Sequence, residues 1–468
     1  MLHSQVAIIG GGPGGYETAI RLAQYEISCI VIEKDNLGGI CLNEGCIPTK
    51  ALVKSAELYL EMLSADKFGL PKQAVEIDYA QILARKNAAV EQLSGGIKYI
   101  LNRRNIPVIK ATATSVRKEN GNYVIKTSEG ENYSCEYLIL ATGSETAKLP
   151  GITIDEQDIL SSTGILQMQE LPEELVIVGG GVIGCEFASI FSAFGVKVTI
   201  VEFMPQLLIM EDSEISKRLT LQFKKRGVKI LTNTGVQSIE KKNRQLELQL
   251  NNGNSLTTDK VLMSVGRKPL CNIKIENMEL KTEKGAIVID DFMQTNCDKV
   301  YAIGDVTGKL QLAHTSSKQG LLSAEHIAQR LYPERFLAPL KPINYINIPR
   351  CTFTHPEIAS VGYTQENAES IYDDVIVGKF PFSANGKAVA IGYPDGFVKI
   401  IARKTTSEII GMHILGPSAT ELIAQGAIMI TNKMKIEDID SVIFAHPTLS
   451  EAVMEAMEDL QNISIHKI

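Results

Sequence analysis

Two cysteines five positions apart, Cys41 and Cys46, are the residues whose type and spacing most directly predict chemistry. Pro48 and residues 49–54 follow them and predict the first turn and body of a helix. A thiolate is the reactive form of cysteine, and a helix N-terminus lowers the pKa of a thiol. Because five residues of regular helix turn through about 500°, a bridge between the two thiols needs a distorted turn, and Gly45 has the backbone freedom for one. We therefore predict a redox-active dithiol in this segment.

Two other interpretations of the cysteine pair are buried structural cysteines and half of a zinc site. A zinc site usually has a second Cys/His pair at short spacing, and this sequence has none, so we expect no metal. The other cysteines stand singly in apolar or mixed surroundings and are interpreted as packing or surface thiols: Cys29, Cys135, Cys185, Cys271, Cys297 and Cys351.

The segment before the cysteine pair has the order of features of a dinucleotide-binding βαβ unit. Its parts are an apolar strand at 6–9, the glycines Gly10, Gly12 and Gly15, a helix at 16–24, a strand at 29–32 and the acid Glu33. The first glycine allows a tight turn, the second lets the backbone approach a pyrophosphate, and the third allows close packing of the helix. The helix N-terminus faces the phosphates, and Glu33 is placed to bind a ribose hydroxyl.

The same unit occurs a second time in the chain. Its parts are a strand at 175–178, the glycines Gly179, Gly181 and Gly184, a helix from Cys185, a strand at 198–201 and the acid Glu202. The first glycine and the acid are 23 positions apart in both copies. This matched spacing predicts two mononucleotide-binding folds and hence two bound dinucleotides, and the alternative is a structural repeat with one working site.

The second copy also indicates which dinucleotide it binds. An acid at the end of the second strand binds a free 2′-hydroxyl, whereas a 2′-phosphate calls for a nearby arginine. Residues 203–208, which follow Glu202, contain no cation, so NAD is favoured over NADP. The first copy is left for the other dinucleotide, and the adjacent cysteine pair suggests a flavin.

Two further apolar strands that end in small residues fit the same scheme. Residues 137–144 run from an apolar strand into a turn that contains Thr142 and Gly143, and residues 300–305 end in the carboxylate of Asp305. Because parallel α/β sheets bind ligands at the carboxyl ends of their strands, Asp305 is predicted to contact the ribityl chain or phosphate of a flavin. The alternative is an N-cap of the following segment, and the two roles are compatible.

From about residue 341 the pattern changes to one of antiparallel strands with helices. Near the end, residues 444–451 contain His446 and Glu451 and precede a helix that extends to about residue 461. His446 is a candidate base because an imidazole exchanges protons near neutral pH. A histidine before a proline is also commonly structural, and residues 448–451 form a capping-box pattern in which Glu451 only caps its helix.

The composition is that of a globular protein and argues against several classes of function. The chain has 468 residues, enough for about three domains, and its net charge of −7 without a strongly basic stretch predicts no nucleic-acid partner. No apolar run reaches the ~18 residues of a membrane span, and residues 1–5 lack the basic region of a signal peptide. Eight cysteines spread over the chain do not form a secreted disulfide scaffold, so we expect a reducing, cytoplasmic location in which a disulfide is catalytic.

Together these motifs resemble those of the flavin-dependent pyridine nucleotide–disulfide oxidoreductases, over essentially the whole chain from Val6 to the last helix. The matching stretches are residues 10–16, 41–50, 141–144, 265–269, 302–305, 354–357 and 446–451. The resemblance implies an α/β fold with two Rossmann-like dinucleotide-binding domains, for FAD and NAD, and a C-terminal α+β dimerisation domain. The implied ranges are 1–145 with 271–341 for a discontinuous FAD-binding domain, 146–270 for the NAD-binding domain and 342–468 for dimerisation.

The same resemblance implies the oxidation of dihydrolipoyl groups with reduction of NAD⁺. Cys41 would exchange with the substrate thiol, and Cys46, nearer the flavin, would pass the electrons on as a charge-transfer thiolate. His446, contributed by the other subunit of a homodimer and oriented by Glu451, would accept the proton. The electrons would then pass through the flavin to NAD⁺.

Further site residues and partners follow from the resemblance alone. Lys50 is similar to the family's cation beside the reactive nitrogen of the flavin, with Glu186 as its ion-pair partner, and the alternative for Lys50 is a solvated helix lysine. The implied partners are lipoyl-bearing subunits of 2-oxo acid dehydrogenase complexes or of the glycine cleavage system. The implied cofactor-binding residues besides the glycines and acids above are Lys50, Thr142, Gly143, Gly266, Asp305 and Ala313.

The sequence departs from the family pattern in two places, and it argues against several other members. Ile40 stands where the family usually has threonine, and residues 315–318 replace a more acidic run, which leaves the redox potential and turnover open. Glutathione- and trypanothione-type reductases would use NADP, mercuric reductases would end in a cysteine pair, and NADH oxidases and coenzyme A-disulfide reductases usually rely on one redox cysteine. A flavoprotein retained as a structural subunit is expected to have lost at least one of Cys41, Cys46, His446 and Glu451, and all are present.

Overall fold

The computed structural model describes residues 2–71, 74–243 and 245–467, so Met1 and Ile468, the outer limits of the predicted domain ranges, lie outside the described residues. The strands, in chain order, are β1 Leu2–Ile9, β2 Cys29–Glu33, β3 Val108–Lys110, β4 Ala113–Glu119, β5 Asn122–Thr127, β6 Asn132–Leu140, β7 Ser144–Thr146, β8 Ile159–Leu160, β9 Glu174–Val178, β10 Lys197–Val201, β11 Lys229–Leu231, β12 Val236–Lys242, β13 Gln245–Leu250, β14 Ser255–Thr258, β15 Lys260–Met263, β16 Arg267–Pro269, β17 Lys274–Glu276, β18 Thr282–Glu283, β19 Ala286–Ile287, β20 Val300–Ala302, β21 Arg350–Thr352, β22 Glu357–Gly362, β23 Val375–Pro381, β24 Phe397–Arg403 and β25 Ile409–Gly416.

Helices separate β1 from β2, β2 from β3, β8 from β9, β9 from β10 and β10 from β11, whereas β3 to β8 and β11 to β20 follow one another without an α-helix. The α-helices are α1 Pro13–Gln24, α2 Gly39–Glu44, α3 Cys46–Leu63, α4 Tyr79–Arg103, α5 Ser162–Ile165, α6 Val182–Ala193, α7 Ser213–Lys225, α8 Ala313–Leu331, α9 Gln365–Glu369, α10 Gly386–Ala390, α11 Ala419–Thr431 and α12 Glu451–Asp459. Short 3₁₀ helices occur at Ala65–Phe68, Gly304–Thr307, Tyr345–Asn347, Phe382–Ala384 and Ile436–Ile439.

The chain divides into two compact units. The first takes in residues up to 51, 80–147 and 266–343, and the second takes in 52–79, 148–265 and the residues from 344 onward. The three-domain division expected from the sequence stays a prediction.

The first unit is built on a sheet in the order β17-β4-β5-β6-β1-β2-β3, in which β20 also pairs with β6. The predicted apolar strand lies at its centre, because β1 runs parallel to both β2 and β6. Side chains alternate between the two faces of a strand, so Val6 and Ile8 pack in one core cluster while Ala7 and Ile9 pack in another. Burial on both faces explains why this run is continuously apolar.

Besides a small antiparallel sheet in the order β12-β13-β14, the described residues of the second unit form two five-stranded sheets. The first is parallel, in the order β11-β10-β9-β15-β8, and helix α6 connects its neighbouring strands β9 and β10. The other is antiparallel, in the order β21-β22-β25-β24-β23, and one of its faces forms a core with helices α11 and α12. The predicted α/β class with a C-terminal α+β layer is confirmed. Within the described ranges, no helix is long and apolar enough to cross a membrane.

Candidate active site

Cys41 and Cys46 form a disulfide whose Cα atoms are 4.7 Å apart. They belong to two different helices, because α2 ends at Glu44 and α3 begins at Cys46. Gly45 makes the break between the helices, with φ −148° and ψ −103°. A Cβ on Gly45 would lie 3.1 Å from the carbonyl oxygen of Ile40, so the turn that permits the bridge leaves little room for a side chain. The predicted distorted turn is therefore present, and Cys46 occupies the first turn of its helix.

The cysteine-bearing helix α2 is held against the first glycine-rich turn. The N–H of Gly38 donates to the carbonyl oxygen of Gly11 at 2.8 Å. Gly39 has φ +57°, and a Cβ there would lie 2.8 Å from the Cα of Gly12. The side-chain amide of Asn43 donates to the carbonyl of Gly39 at 2.8 Å and so fixes the start of the helix. These contacts place the disulfide segment beside the turn predicted to bind the flavin dinucleotide.

The glycines of the first turn have backbone geometry that is compatible with the roles predicted for them. Gly10 has φ +112°, and a Cβ there would meet the carbonyl oxygen of Ala141 at 2.1 Å. A Cβ on Gly15 would lie 1.9 Å from the carbonyl oxygen of Gly10, so the helix packs directly on the turn. By contrast, the nearest heavy atom to a Cβ on Gly12 is 3.9 Å away. This open space at the N-terminus of α1 fits a pyrophosphate.

The second glycine-rich turn repeats this geometry. Gly179 has φ +108°, and a Cβ there would lie 2.4 Å from the carbonyl oxygen of Ser264. A Cβ on Gly184 would lie 2.0 Å from the carbonyl oxygen of Gly179, whereas a Cβ on Gly181 would have no heavy atom within 4 Å. Both turns therefore leave the same space for a dinucleotide, in front of a helix whose first N–H groups have no intrahelical acceptor.

Each of the two acids at the strand ends holds its own glycine-rich turn. The carboxylate of Glu33 accepts the backbone N–H of Gly11 at 2.6 Å and that of Asp35 at 2.7 Å. Glu202 likewise accepts the N–H of Gly180 and, at 2.6 Å, that of Met204. Both carboxylates are buried, and their remaining lone pairs are available to a ribose hydroxyl. The sequence predicted the ribose contact but not this structural role.

The flavin-contact residues predicted from separate stretches gather at one edge of the first sheet. The hydroxyl of Thr142 donates to the carbonyl of Leu270 at 2.5 Å, and the hydroxyl of Ser144 donates to the carboxylate of Asp305. Asp305 lies inside the 3₁₀ helix at Gly304–Thr307, whose N-cap is Ile303, so it does not serve as the alternative N-cap.

Arg267 also belongs to this cluster, although it was not among the predicted site residues and was only part of the matching stretch 265–269. Its Nε donates to the hydroxyl of Ser144 and its Nη2 to the carbonyl of Ser144, both at 2.8 Å. Burial lowers the pKa of the guanidinium, and Asp305 opposes this shift. The signal available in the sequence was the position of Arg267 inside the matched stretch 265–269.

The departure at residues 315–318 has a packing reason. Helix α8 begins at the predicted residue Ala313 and packs along α1. A Cβ on Gly14 would lie 2.3 Å from the hydroxyl oxygen of Ser316, and a Cβ on Gly304 would lie 2.5 Å from it. Ser316 therefore fills the narrow space between two glycines, and Ser317 donates to the carboxylate of Glu17 at 2.9 Å.

His446 and Glu451 are in contact. Nδ1 of His446 lies 2.8 Å from Oε1 of Glu451, and Oε2 of Glu451 accepts the N–H of Thr448 at 2.7 Å. Burial raises the pKa of Glu451, but the hydrogen bonds from Thr448 and His446 lower it by more than burial raises it, so the net shift of this pKa is downward. Glu451 therefore binds the imidazole and the backbone of the preceding turn at once, and the helix begins at Glu451 itself with Ser450 as its N-cap. The His446 side chain is 78% exposed in the single chain.

Lys50 lies on α3, in the first unit, and Glu186 lies on α6, in the second unit. Lys50 follows Cys46 by four residues on α3 and so lies on the same face of that helix. Glu186 is buried on α6, where Oε1 accepts the N–H of Phe353 at 3.0 Å. Their ion pair stays a prediction. The described residues contain no group of three His, Cys, Asp or Glu side chains placed to hold a metal.

Proteins with similar sequences belong to a family that is consistent with a disulfide at a helix start and two equivalent dinucleotide turns. Residues 4–320 match the pyridine nucleotide-disulphide oxidoreductase family, and residues 348–457 match the dimerisation domain of that family. The chain belongs to the pyridine nucleotide-disulphide oxidoreductase family. It is an FAD- and NAD-dependent oxidoreductase with a dimerisation domain at its C-terminal end.

Individual relatives have a narrower name in common. The chain is 38% identical to a dihydrolipoyl dehydrogenase of Bacillus subtilis (strain 168), over 98% of each protein. It is 37% identical to the dihydrolipoyl dehydrogenase of Zymomonas mobilis over 99% of each protein, and 38% identical to the mitochondrial one of Pisum sativum over 99% of this chain and 93% of that protein.

Solved structures agree with this relationship over almost the full chain. The fold is similar to that of LpdA from Mycobacterium tuberculosis, with a TM-score of 0.88, 26% identity and coverage of 98% of this chain and 100% of that one. It is also similar to the HOCl-induced flavoprotein disulfide reductase RclA from Escherichia coli, with a TM-score of 0.84, 29% identity and coverage of 98% and 100%.

Proposed function

We propose that this protein oxidises protein-bound dihydrolipoyl groups to the disulfide and reduces NAD⁺, and the proposal is supported by its relatives, which are named dihydrolipoyl dehydrogenases. The observation that carries the proposal is the Cys41–Cys46 disulfide, held at a helix start directly beside the first dinucleotide turn. FAD, when bound, supplies a two-electron acceptor for the reduced cysteines and a hydride donor for NAD⁺. The remaining chemistry belongs to side chains of the chain.

The first half-reaction is a thiol–disulfide exchange. A dihydrolipoyl thiolate attacks Sγ of Cys41, the Cys41–Cys46 bond breaks, and Cys46 leaves as a thiolate. The second dihydrolipoyl thiol then attacks the mixed disulfide, which releases the oxidised lipoyl group and leaves both cysteines reduced. The two electrons of the substrate are then on the cysteine pair. The start of α3 favours the thiolate of Cys46, because a helix N-terminus stabilises negative charge.

His446 has the geometry of the base that removes the substrate proton. Its Nδ1 faces the Glu451 carboxylate at 2.8 Å, so the proton of the neutral imidazole lies on Nδ1 and the lone pair on Nε2. When Nε2 accepts a proton, the adjacent carboxylate stabilises the imidazolium. We propose that this dyad acts on the substrate at the other subunit of a homodimer.

Lys50 and Glu186 complete the proposed catalytic set, as an ion pair beside the flavin. The proposed substrates are lipoyl groups carried by subunits of 2-oxo acid dehydrogenase complexes or of the glycine cleavage system. The proposed location is the cytoplasm, where a reducing environment suits a chain whose other cysteines form no disulfide in the described structure.

The test is an anaerobic visible spectrum of the holoenzyme before and after addition of dihydrolipoamide. A yellow protein that develops a long-wavelength charge-transfer band supports the proposal, because the band requires a thiolate against the flavin. Cys46→Ser should lose the band and the NADH-linked activity, and Cys297→Ser, which changes a thiol far along the chain in the same unit, should keep both. Full activity of Cys46→Ser would overturn the mechanism. Bleaching by NADH without any response to dihydrolipoamide would overturn the substrate.

A further inference from the structure

A row of polar side chains crosses the antiparallel sheet of the second unit from edge to edge. Arg350, Ser360, His413, Lys399 and Lys379 are in register on strands β21, β22, β25, β24 and β23. Residues in register on neighbouring strands lie on the same face of a sheet, so these side chains form one continuous line. We call this line the basic row. The opposite face of the sheet carries the apolar core with α11 and α12.

The basic row meets acids at the start of helix α7. Nε of Arg350 lies 3.2 Å from Oε1 of Glu211. Nζ of Lys399 lies 3.0 Å from both carboxylate oxygens of Asp212 and 3.4 Å from Oε2 of Glu214. The end of the row is paired as well, because Lys379 also contacts Glu214.

The centre of this contact is buried. The side chain of Lys399 is 4% exposed and that of Asp212 is fully buried. Asp212 also accepts the N–H of Glu214 at 3.0 Å and that of Gln365 at 3.2 Å. Burial raises the pKa of Asp212, but His413, Lys399 and the hydrogen bond from Gln365 together lower this pKa by more than burial raises it. The group is therefore a carboxylate in the folded protein. Its position is fixed by directional contacts from strand β24 and from helices α7 and α9.

A buried ion pair is a poor device for stability alone. The cost of removing both charges from water is comparable with their attraction, and well-packed apolar side chains of the same volume stabilise a core at least as well. What a buried pair does provide is a single geometry, because any displacement leaves an unpaired charge. The basic row therefore determines where the start of α7 lies.

The segment held in this way is continuous with the predicted NAD site. It begins at Glu202, the predicted ribose ligand, and ends at the acids that meet the basic row. The N–H of Leu208 donates to the carbonyl of Gly180 at 2.9 Å, and the carbonyl of Leu207 accepts the hydroxyl of Ser216 on α7 at 2.6 Å. Leu207 is fully buried, and a Cβ on Gly180 would touch it at 2.4 Å. Residues 203–211 are thus fastened to the nucleotide turn and to α7.

We propose that the basic row is a positioning device for NAD binding: Lys399, with Lys379 and Arg350, holds the segment 203–211 as a wall of the NAD pocket. None of these residues touches the dinucleotide turn itself, so their effect passes through Asp212, Glu214 and Glu211. The inference rests on the proposed function only in taking NAD as the dinucleotide of this turn. It assigns to the C-terminal sheet a role in cofactor affinity besides that of a dimerisation domain.

The experiment uses the FAD-loaded, full-length protein and its variants. Glu214→Gln and Lys379→Met break the half-exposed end of the row without leaving a buried charge unpaired. Lys399→Met removes the buried centre. Arg403→Met is the matched control, because Arg403 lies on the same strand as Lys399 and pairs with Asp374. The readouts are the KM for NAD⁺, the KM for dihydrolipoamide, and the anaerobic rate of flavin reduction by dihydrolipoamide, which needs no NAD⁺.

We expect the KM for NAD⁺ to rise about threefold in each end variant, because it loses only half-exposed ion pairs. In Lys399→Met the KM should rise about tenfold or more, because this variant loses the buried pair. Flavin reduction and the KM for dihydrolipoamide should stay at the wild-type values, and Arg403→Met should match the wild type throughout. If Lys399→Met does not fold, the end variants decide the matter.

An unchanged KM for NAD⁺ in both end variants would overturn the inference. Equal losses with both substrates would also overturn it, because they would mean that the row only stabilises the fold. Failure of the proposed function is a separate result, namely a wild-type protein that transfers no electrons from dihydrolipoamide to NAD⁺. In that case NADH affinity, measured by quenching of NADH fluorescence, still tests the row.

Discussion

The carboxylate of Glu451 holds two groups at once, and its replacement by the amide of glutamine separates helix capping from proton transfer. Oε2 accepts the N–H of Thr448 at 2.7 Å, and Oε1 lies 2.8 Å from Nδ1 of His446. A backbone N–H can only donate, so in Glu451→Gln the amide oxygen turns toward Thr448 and the amide nitrogen toward His446. That nitrogen donates to Nδ1 and holds the imidazole proton on Nε2, where the base needs its lone pair.

We expect Glu451→Gln to be as stable as the wild type and much less active. The capping bond, which is worth about 1 kcal/mol, is kept. The imidazolium that forms when Nε2 takes the substrate proton loses a hydrogen bond to a charged partner, which is worth about 1.5–3 kcal/mol, whereas in the resting enzyme the amide nitrogen still bonds Nδ1. At about 1.36 kcal/mol per tenfold in rate, the expected fall in kcat is about 10- to 150-fold. Glu451→Ala loses the cap and the orienting bond, so it should be similarly inactive and about 1 kcal/mol less stable.

The assay is oxidation of dihydrolipoamide by NAD⁺ between about pH 6 and pH 9, together with urea unfolding of each variant. Glu458→Gln, the same substitution two turns further along α12, is the control and should have wild-type activity. A Glu451→Gln variant that unfolds like the wild type and keeps more than half of its kcat across this range would refute the reasoning. It would show that the tautomer of His446 does not control proton transfer.

Three further predictions follow from local geometry. Gly181→Ala should keep its unfolding midpoint but raise the KM for NAD⁺ about tenfold, because its Cβ fills only the pyrophosphate space. Gly184→Ala, with a Cβ 2.0 Å from a backbone carbonyl oxygen, should also unfold more easily, and equal unfolding midpoints of the two variants would contradict this. Gly95→Ala, in α4 with open space around the new Cβ, should raise the free energy of unfolding by about 0.5–1 kcal/mol in a urea titration, and a decrease would be evidence against the helix geometry. The hydrogen bond to Glu455 raises the pKa of His466, so the stabilisation of residues 464–466 by this contact is complete below about pH 6.5 and is lost as the pH rises through the pKa of the folded protein. Proteolysis of this C-terminal segment should therefore accelerate with pH in the wild type but not in His466→Gln.

The parts of the site that lie within one short segment were predictable from residue type and spacing. The glycine positions follow from backbone sterics, because Gly10 and Gly179 adopt positive φ and a Cβ at either position would clash with a backbone carbonyl oxygen. The break at Gly45 follows from the angle that five helical residues subtend, and the contact between Glu451 and the backbone of Thr448 follows from a capping-box pattern. Such features need no knowledge of distant partners.

The packing role of Ser316 required the tertiary structure. In the sequence it was part of an unexplained departure from the family pattern, whereas in the fold it occupies the space left by Gly14 and Gly304. The cluster of Ser144, Arg267 and Asp305 is of the same kind, because Ser144 is 123 positions from Arg267 and 161 from Asp305, so it meets them only in the folded chain.

Residue type and spacing were enough to predict the short motifs: the cysteine pair, the two dinucleotide turns with their acids, and the His446–Glu451 segment. Hydrophobic periodicity and turn chemistry act over a few residues, so they produce these motifs wherever the segment lies. The burial of Lys399, one residue of an ordinary strand pattern, against Asp212, 187 positions away, became visible only in the fold. Sheet register brings such residues together, and register depends on the strands that pair, which no single stretch of sequence specifies.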